Sequence, residues 1–219
     1  MANAPVSGSI RSIDLASPAG RLEALLNTGH QDAAYTALVC HPNPLGGGTL
    51  HNKVVYHAMK ALHGFGFPVL RFNFRGTGRS EGTHDDGRGE QDDVRAALDW
   101  LDREFHRPIL FAGFSFGANV GMRACCGDPR VHGIIALGLP VEAEGRNYTY
   151  GYLPACPQPK LFISGDHDQY GPKAQVEAVV ATAPEPKQLV WIPGGDHFFA
   201  GKLNQVQAAI VNWVSRQFG

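Results

Sequence analysis

This 219-residue chain has almost no charge of either sign to spare. Its 19 lysines and arginines stand against 20 aspartates and glutamates, a net charge of −1. A surface balanced in that way offers no basic face to nucleic acid or another polyanion. Long apolar runs are missing as well. The longest mostly apolar segment, Val131 to Val141, holds a histidine and glycines and is far too short to span a bilayer. Met1 to Ile10 has neither a basic n-region nor an apolar h-region. No secretory leader is expected there, and the cytoplasm is the expected location. Cysteine is scarce: Cys40, Cys125, Cys126 and Cys156 show no C-x-x-C spacing. The adjacent Cys125 and Cys126 do not look like a disulfide framework, so free thiols in a reducing compartment are expected. No repeat, low-complexity tract or linker divides the chain, and its length suits one domain over residues 1–219.

What is present alternates between two periods. Ser9 to Leu15 and Arg21 to Leu26 flank the turn sequence Ser17-Pro18-Ala19-Gly20 and read as an antiparallel hairpin. Short apolar runs then read as strands at Tyr35 to Cys40, Val69 to Phe74, Ile109 to Ala112, Gly133 to Leu139, Lys160 to Ser164 and Gln188 to Ile192. Between them lie helical stripes: Val54, Val55, Ala58, Met59 and Leu62; then Val94, Ala97, Leu98, Leu101 and Phe105; then Val176, Val179 and Val180. A last stripe closes the chain at Leu203, Val206, Ile210, Trp213 and Val214. Strands alternating with helices predict a three-layer α/β/α sandwich around a mostly parallel sheet of about eight strands. Residues 140–157 fit neither period and are expected to form a minimal cap or irregular insertion.

The strand at Ile109 runs straight into Gly113-Phe114-Ser115-Phe116-Gly117, which fits G-x-S-x-G, and Ala118 to Ala124 can continue as a helix. A strand turning sharply into a helix lifts its corner residue clear of the sheet in a strained backbone conformation. A Cβ two places before or after Ser115 would crowd that corner. The hydroxyl then lies over a helix N-terminus, next to the Phe116 N–H.

A serine hydroxyl needs a neighbouring base before it becomes a useful nucleophile. Reactive groups in a parallel sheet gather beyond the carboxyl ends of strands. Of ten histidines, His197 in Gly194-Gly195-Asp196-His197-Phe198-Phe199 follows the last predicted strand and so shares an edge with Ser115. His57 and His63 fall on a helix and His106 at a helix end. The base needs an acid to hold its tautomer, and Gly165-Asp166-His167-Asp168 follows the preceding strand. Asp168 is preferred to Asp166 because it lies past the tight turn at Gly165, while Asp196 adjoins His197 and points the wrong way in most loops. For a second oxyanion donor, the loop after Cys40 offers the Asn43 amide, with Leu45 as the alternative; Pro44 has no N–H.

Other motifs carry less. Gly76-Thr77-Gly78 lacks the third glycine and the helix of a dinucleotide fingerprint, and Gly46-Gly47-Gly48 lacks the Gly-Lys-Ser/Thr of a phosphate loop. His167, Asp168, Asp196 and His197 are chemically able to hold a metal, but the serine, acid, histidine order explains the same residues. Arg75 and Arg79 read as loop braces, with a substrate-carboxylate role as the sharper alternative. Phe114 or Phe198 is a candidate wall for an acyl pocket.

Taken together, His41-Pro42-Asn43-Pro44 with Gly46-Gly47-Gly48, Asn73-Phe74-Arg75-Gly76-Thr77-Gly78-Arg79-Ser80, Gly113 to Gly117, Gly165-Asp166-His167-Asp168 and Gly195-Asp196-His197 resemble the α/β-hydrolase superfamily. Within it, the chain is similar to the small, nearly capless bacterial hydrolases grouped with dienelactone-hydrolase-like enzymes. It differs from dienelactone hydrolases proper in carrying Ser115 in place of a cysteine, and from many relatives in having Pro42 after the first-loop histidine. The resemblance implies catalytic roles for Ser115, Asp168 and His197 and an oxyanion hole from the Phe116 and Asn43 amides. The expected activity is hydrolysis of a carboxylic ester or related acyl bond. A small-molecule acyl substrate is expected, with no cofactor, metal, nucleic acid or membrane partner, acting as a monomer or homodimer. The competing readings are a non-catalytic binding protein on the same fold and an acyltransferase or perhydrolase built on the same triad.

Overall fold

The computed structural model describes residues 9–143 and 146–219. Residues 1–8, most of the segment in which no leader was expected, lie outside the described residues. The chain opens with strands β1 (Ile10–Ser17) and β2 (Gly20–Asn27), joined by the Pro18-Ala19 turn. Then follow β3 (Thr36–Cys40), α1 (Lys53–His63), β4 (Val69–Phe72), α2 (Glu90–Phe105), β5 (Ile109–Phe114), α3 (Phe116–Cys125) and β6 (Val131–Leu137). Two-residue strands β7 (Glu142–Ala143) and β8 (Arg146–Asn147) pair with each other. The chain ends with β9 (Lys160–Gly165), α4 (Lys173–Ala181), β10 (Lys187–Ile192) and α5 (Leu203–Phe218).

Eight strands form one sheet in the order β1-β2-β4-β3-β5-β6-β9-β10. β1 pairs antiparallel with β2, and β2 antiparallel with β4; every later pairing is parallel. The central strands are apolar on both sides because both faces are covered. On β5, Ile109 and Phe111 point into a core shared with α2 and α3, while Leu110, Ala112 and Phe114 point into one shared with α1 and α5. β5 lies near the middle of the sheet, so whatever follows Phe114 emerges at the centre of its carboxyl edge.

Two of the boundaries that differ from the sequence reading do so for local reasons. β4 stops at Phe72, two residues early, because the Phe74 N–H leaves the ladder for the His41 ring, 3.0 Å away. β6 ends at Leu137 because Gly138 takes a φ of +52° and turns the chain.

The cysteines also depart from expectation. Cys126 and Cys156 are disulfide-bonded, their Cα atoms 4.8 Å apart across 30 residues of sequence, while Cys40 and Cys125 are buried free thiols. Cys125 is buried in the core, and Cys126, partly buried against the same core, starts the turn after α3. Burial pushes both free thiols well above the usual range, which leaves them inert.

The bond fastens the end of α3 to the close of segment 140–157, two of whose residues, 144 and 145, are outside the described set. The same segment is held to α3 by polar contacts. Arg123 donates to the Thr149 carbonyl and hydroxyl at 3.0 and 2.8 Å, Asn119 Nδ2 donates to Thr149 O at 3.2 Å, and Tyr152 OH donates to Asn119 O at 3.1 Å. No helix among the described residues is long and apolar enough to cross a membrane.

Candidate active site

Ser115 sits between β5 and α3 at φ 54°, ψ −121°, a conformation outside the usual regions for a residue with a side chain. The flanking glycines make it possible. A Cβ on Gly113 would lie 2.5 Å from the Gly117 carbonyl oxygen, and one on Gly117 would lie 2.3 Å from the His41 carbonyl oxygen. α3 can therefore approach β3 closely enough to begin directly after the corner.

His197 arrives from the loop after β10 and Asp168 from the loop after β9. His197 Nε2 lies 2.8 Å from Ser115 Oγ, and its Nδ1 lies 2.8 and 3.0 Å from the two Asp168 oxygens. In the tautomer this arrangement requires, Nδ1–H donates to Asp168 and Nε2 accepts from the serine hydroxyl. All three are buried, with Ser115 the most open at 8 % exposed. Asp168 also accepts the backbone N–H of Tyr170 and Gly171 at 2.8 and 3.1 Å. Those bonds fix the orientation of the carboxylate. The imidazole is enclosed by the rings of Tyr170, Phe114 and Phe198, with centroids 4.7, 5.1 and 5.3 Å away.

The other acids lie outside this relay. Asp166 accepts the Gly194 N–H at 2.7 Å and Asp196 the Ala200 N–H at 2.9 Å, so each braces a loop. Arg75 makes a bidentate pair with the buried Asp93, its NH2 2.8 Å from Oδ1 and its Nε 3.1 Å from both oxygens. Arg79 Nε pairs with Glu23 at 2.9 Å. Both arginines are committed to protein carboxylates.

The loop after β3 separates the two oxyanion candidates. The Leu45 N–H is taken by Asn43 Oδ1 at 3.0 Å. Among the described residues, the backbone N–H groups of Asn43 and Phe116 have no hydrogen-bond partner within the chain. The loop is shaped by His41, whose part the sequence did not reveal. Fully buried, it holds Pro42 O through Nδ1 at 2.7 Å and accepts the Phe74 N–H at Nε2. Burial lowers its pKa to about 4, so the ring is neutral, with the proton on Nδ1.

These groups open into a cavity of about 230 Å³, walled by Pro42, Asn43 and Gly46 to Gly48 on the β3 side and by Pro140, Tyr148 and Tyr170 on the other, with Phe198 at its rim. Phe198 lines the cavity, as expected of one of two candidates. Phe114 is buried beneath the imidazole and does not. Tyr170 was findable as the residue two places after Asp168; Tyr148 comes from the aperiodic segment, where no pattern marks it. Among the described residues no cluster of three or more histidine, cysteine or acidic side chains is placed to hold a metal ion.

A parallel sheet carrying a strained serine over a helix N-terminus defines a class of hydrolase. A family model described as "Alpha/beta hydrolase domain" matches residues 44–213, and the chain belongs to that family. Among solved structures it is similar to an α/β serine hydrolase without a lid from Xanthomonas campestris: 35 % identity, TM-score 0.86, 98 % of this chain and 97 % of that one covered. An α/β serine hydrolase homologue from Coxiella burnetii is 34 % identical at TM-score 0.85, over 97 % of this chain and 100 % of the other. An uncharacterized protein of Rickettsia prowazekii is 36 % identical over 90 % of this chain and 85 % of its own.

Proposed function

We propose that this hydrolase is a carboxylesterase-like serine enzyme that cleaves a carboxylic ester or related acyl bond through an acyl-enzyme. The observation that carries the reading is the unbroken relay from Ser115 Oγ through the His197 ring to Asp168. Ser115 Oγ attacks the carbonyl carbon as His197 Nε2 takes its proton. The carbonyl oxygen becomes an oxyanion held by the Asn43 and Phe116 amides, and Asp168 stabilises the imidazolium. Collapse breaks the bond to the leaving group, whose oxygen receives the proton from His197. Water, deprotonated by the same imidazole, then releases the acid and restores Ser115.

The substrate of this reading is a small acyl compound, handled without a cofactor by a single domain acting as monomer or homodimer. The small cavity, with no large lid over it among the described residues, suits short acyl groups. Its cytoplasmic location belongs to the same proposal and is tested by the Cys126–Cys156 bond. A reducing compartment leaves both as thiols that alkylate in intact cells.

Ser115→Ala is expected to lower p-nitrophenyl acetate turnover by roughly 10⁶, the scale seen on losing a triad serine. Retained turnover in that variant removes the proposal. A fluorophosphonate probe separates the reading from a non-catalytic binding protein, because only an activated serine is labelled.

A further inference from the structure

The cavity over Ser115 does not end at Phe198. A second cavity of about 580 Å³ adjoins it over the α1–α5 face of the sheet. The two share Gly47, Asn52 and Phe198 as common wall. Phe198 is 51 % exposed, one of few large apolar side chains left open on this molecule, although it directly follows the buried His197. Its ring is held in an edge-to-face contact with the imidazole and another with Phe114, 6.1 Å away. It is thus a fixed apolar platform between the two spaces, exposed until something covers it.

The chemistry of the second cavity is one-sided. Val54 and Leu203 supply apolar lining, and His51 and Lys53 line it as well. Neither lining contains an aspartate or glutamate. Among the described residues the Lys53 ammonium has no carboxylate within ion-pair distance. The charged arginines nearest the sequence motifs, Arg75 and Arg79, are paired internally. Among the described residues that line the two cavities, Lys53 is therefore the one lysine or arginine, and it is uncommitted.

The direction of that path follows from the reaction proposed above, on which the inference rests. The leaving oxygen must collect its proton from His197 Nε2, and of the rings packed on that imidazole only Phe198 borders both cavities, so the way from the histidine into the second cavity runs across Phe198. The acyl group then takes the enclosed space beside Pro140, Tyr148 and Tyr170. We infer that the second cavity is a leaving-group subsite for an alcohol or phenol with an apolar body and a terminal carboxylate. The body lies on Phe198 and the carboxylate meets Lys53. The products are a short carboxylic acid and a hydroxy acid.

The test compares each of two acids, 4-acetoxybenzoate and 3-(4-acetoxyphenyl)propanoate, with its neutral primary amide. For at least one pair the wild-type protein is expected to favour the acid by about fivefold in kcat/KM, the size of a partly exposed ion pair. The preference should shrink as NaCl is raised from about 0.05 to about 0.5 M. Lys53→Gln should bring the ratio to about one, and Lys53→Glu should invert it. In parallel, calorimetry on the Ser115→Ala protein compares binding of 3-(4-hydroxyphenyl)propanoate with that of its amide, which needs no turnover. Acid-to-amide ratios of one in both assays, or a preference that survives Lys53→Gln, overturn the subsite. Neutral esters turned over by wild type but not by Ser115→Ala, together with a ratio of one, would sink the subsite alone. Loss of the hydrolytic reading itself would show instead as turnover indifferent to Ser115.

Discussion

His41 shows how much one buried side chain can settle. It has no access to solvent, and its two ring nitrogens bind the Pro42 carbonyl and the Phe74 N–H. Replacing it with alanine leaves a buried acceptor and a buried donor unpaired, at about 1–3 kcal/mol each. The His41→Ala protein is expected to unfold at a clearly lower urea concentration. Where it remains folded, kcat should drop by about 10²–10³, as for loss of an oxyanion donor, with KM for short esters changing little.

The same residue gives the fold a pH dependence. Its folded pKa, about 4, lies below the ordinary 6.5, so the unfolded chain binds this proton first as pH falls. The stability it contributes is complete above pH 6.5 and lost progressively down to about pH 4, to a limit of about 3 kcal/mol. Urea midpoints at several pH values check this, and in His41→Asn that part of the acid loss should disappear.

At the scale of elements, the junction of β5 and α3 is set by local sequence. The apolar run, the two glycines and the serine are contiguous, so the strand, the corner and the helix can be read directly. The same holds for the alternation that places β3, β9 and β10, and hence for the meeting of Ser115, Asp168 and His197 at one edge. Gly117→Ala is expected to prevent close docking of α3 on β3, because none of the three nearest atoms, all backbone of Cys40 and His41, can give way. It should cost at least about 1–3 kcal/mol and abolish fluorophosphonate labelling in any protein that folds.

What the sequence concealed depends on partners distant along the chain. Nothing local in Cys126 or Cys156 says that α3 and the approach to β9 end within bonding distance, and the Cys125-Cys126 pair suggested otherwise. Nor does His41 announce that Phe74 will abandon its strand to bind it. The bond closes a 30-residue span, for which chain-entropy arguments give roughly 3–4 kcal/mol. Cys126→Ser is expected to lower the thermal midpoint by several degrees, checked by calorimetry with and without reductant.

Over the whole molecule, the division of labour runs across the sheet. Ser115, Asp168, His197 and the β3 loop all leave it at the carboxyl edge, while the turns that follow α1, α2, α3 and α4 lie at the opposite edge. The exposed Glu185-Pro186 turn between α4 and β10 is one of these. A peptide inserted there is expected to leave kcat/KM within about twofold of wild type, whereas the same insertion after Gly46 should remove activity. Tolerance at an exposed turn follows from the few buried backbone groups it disturbs. A protein arranged in this way has a working side and a handle. It can be immobilised, fused or displayed by its far rim while the mouth of the cavity over Ser115 stays open to the medium.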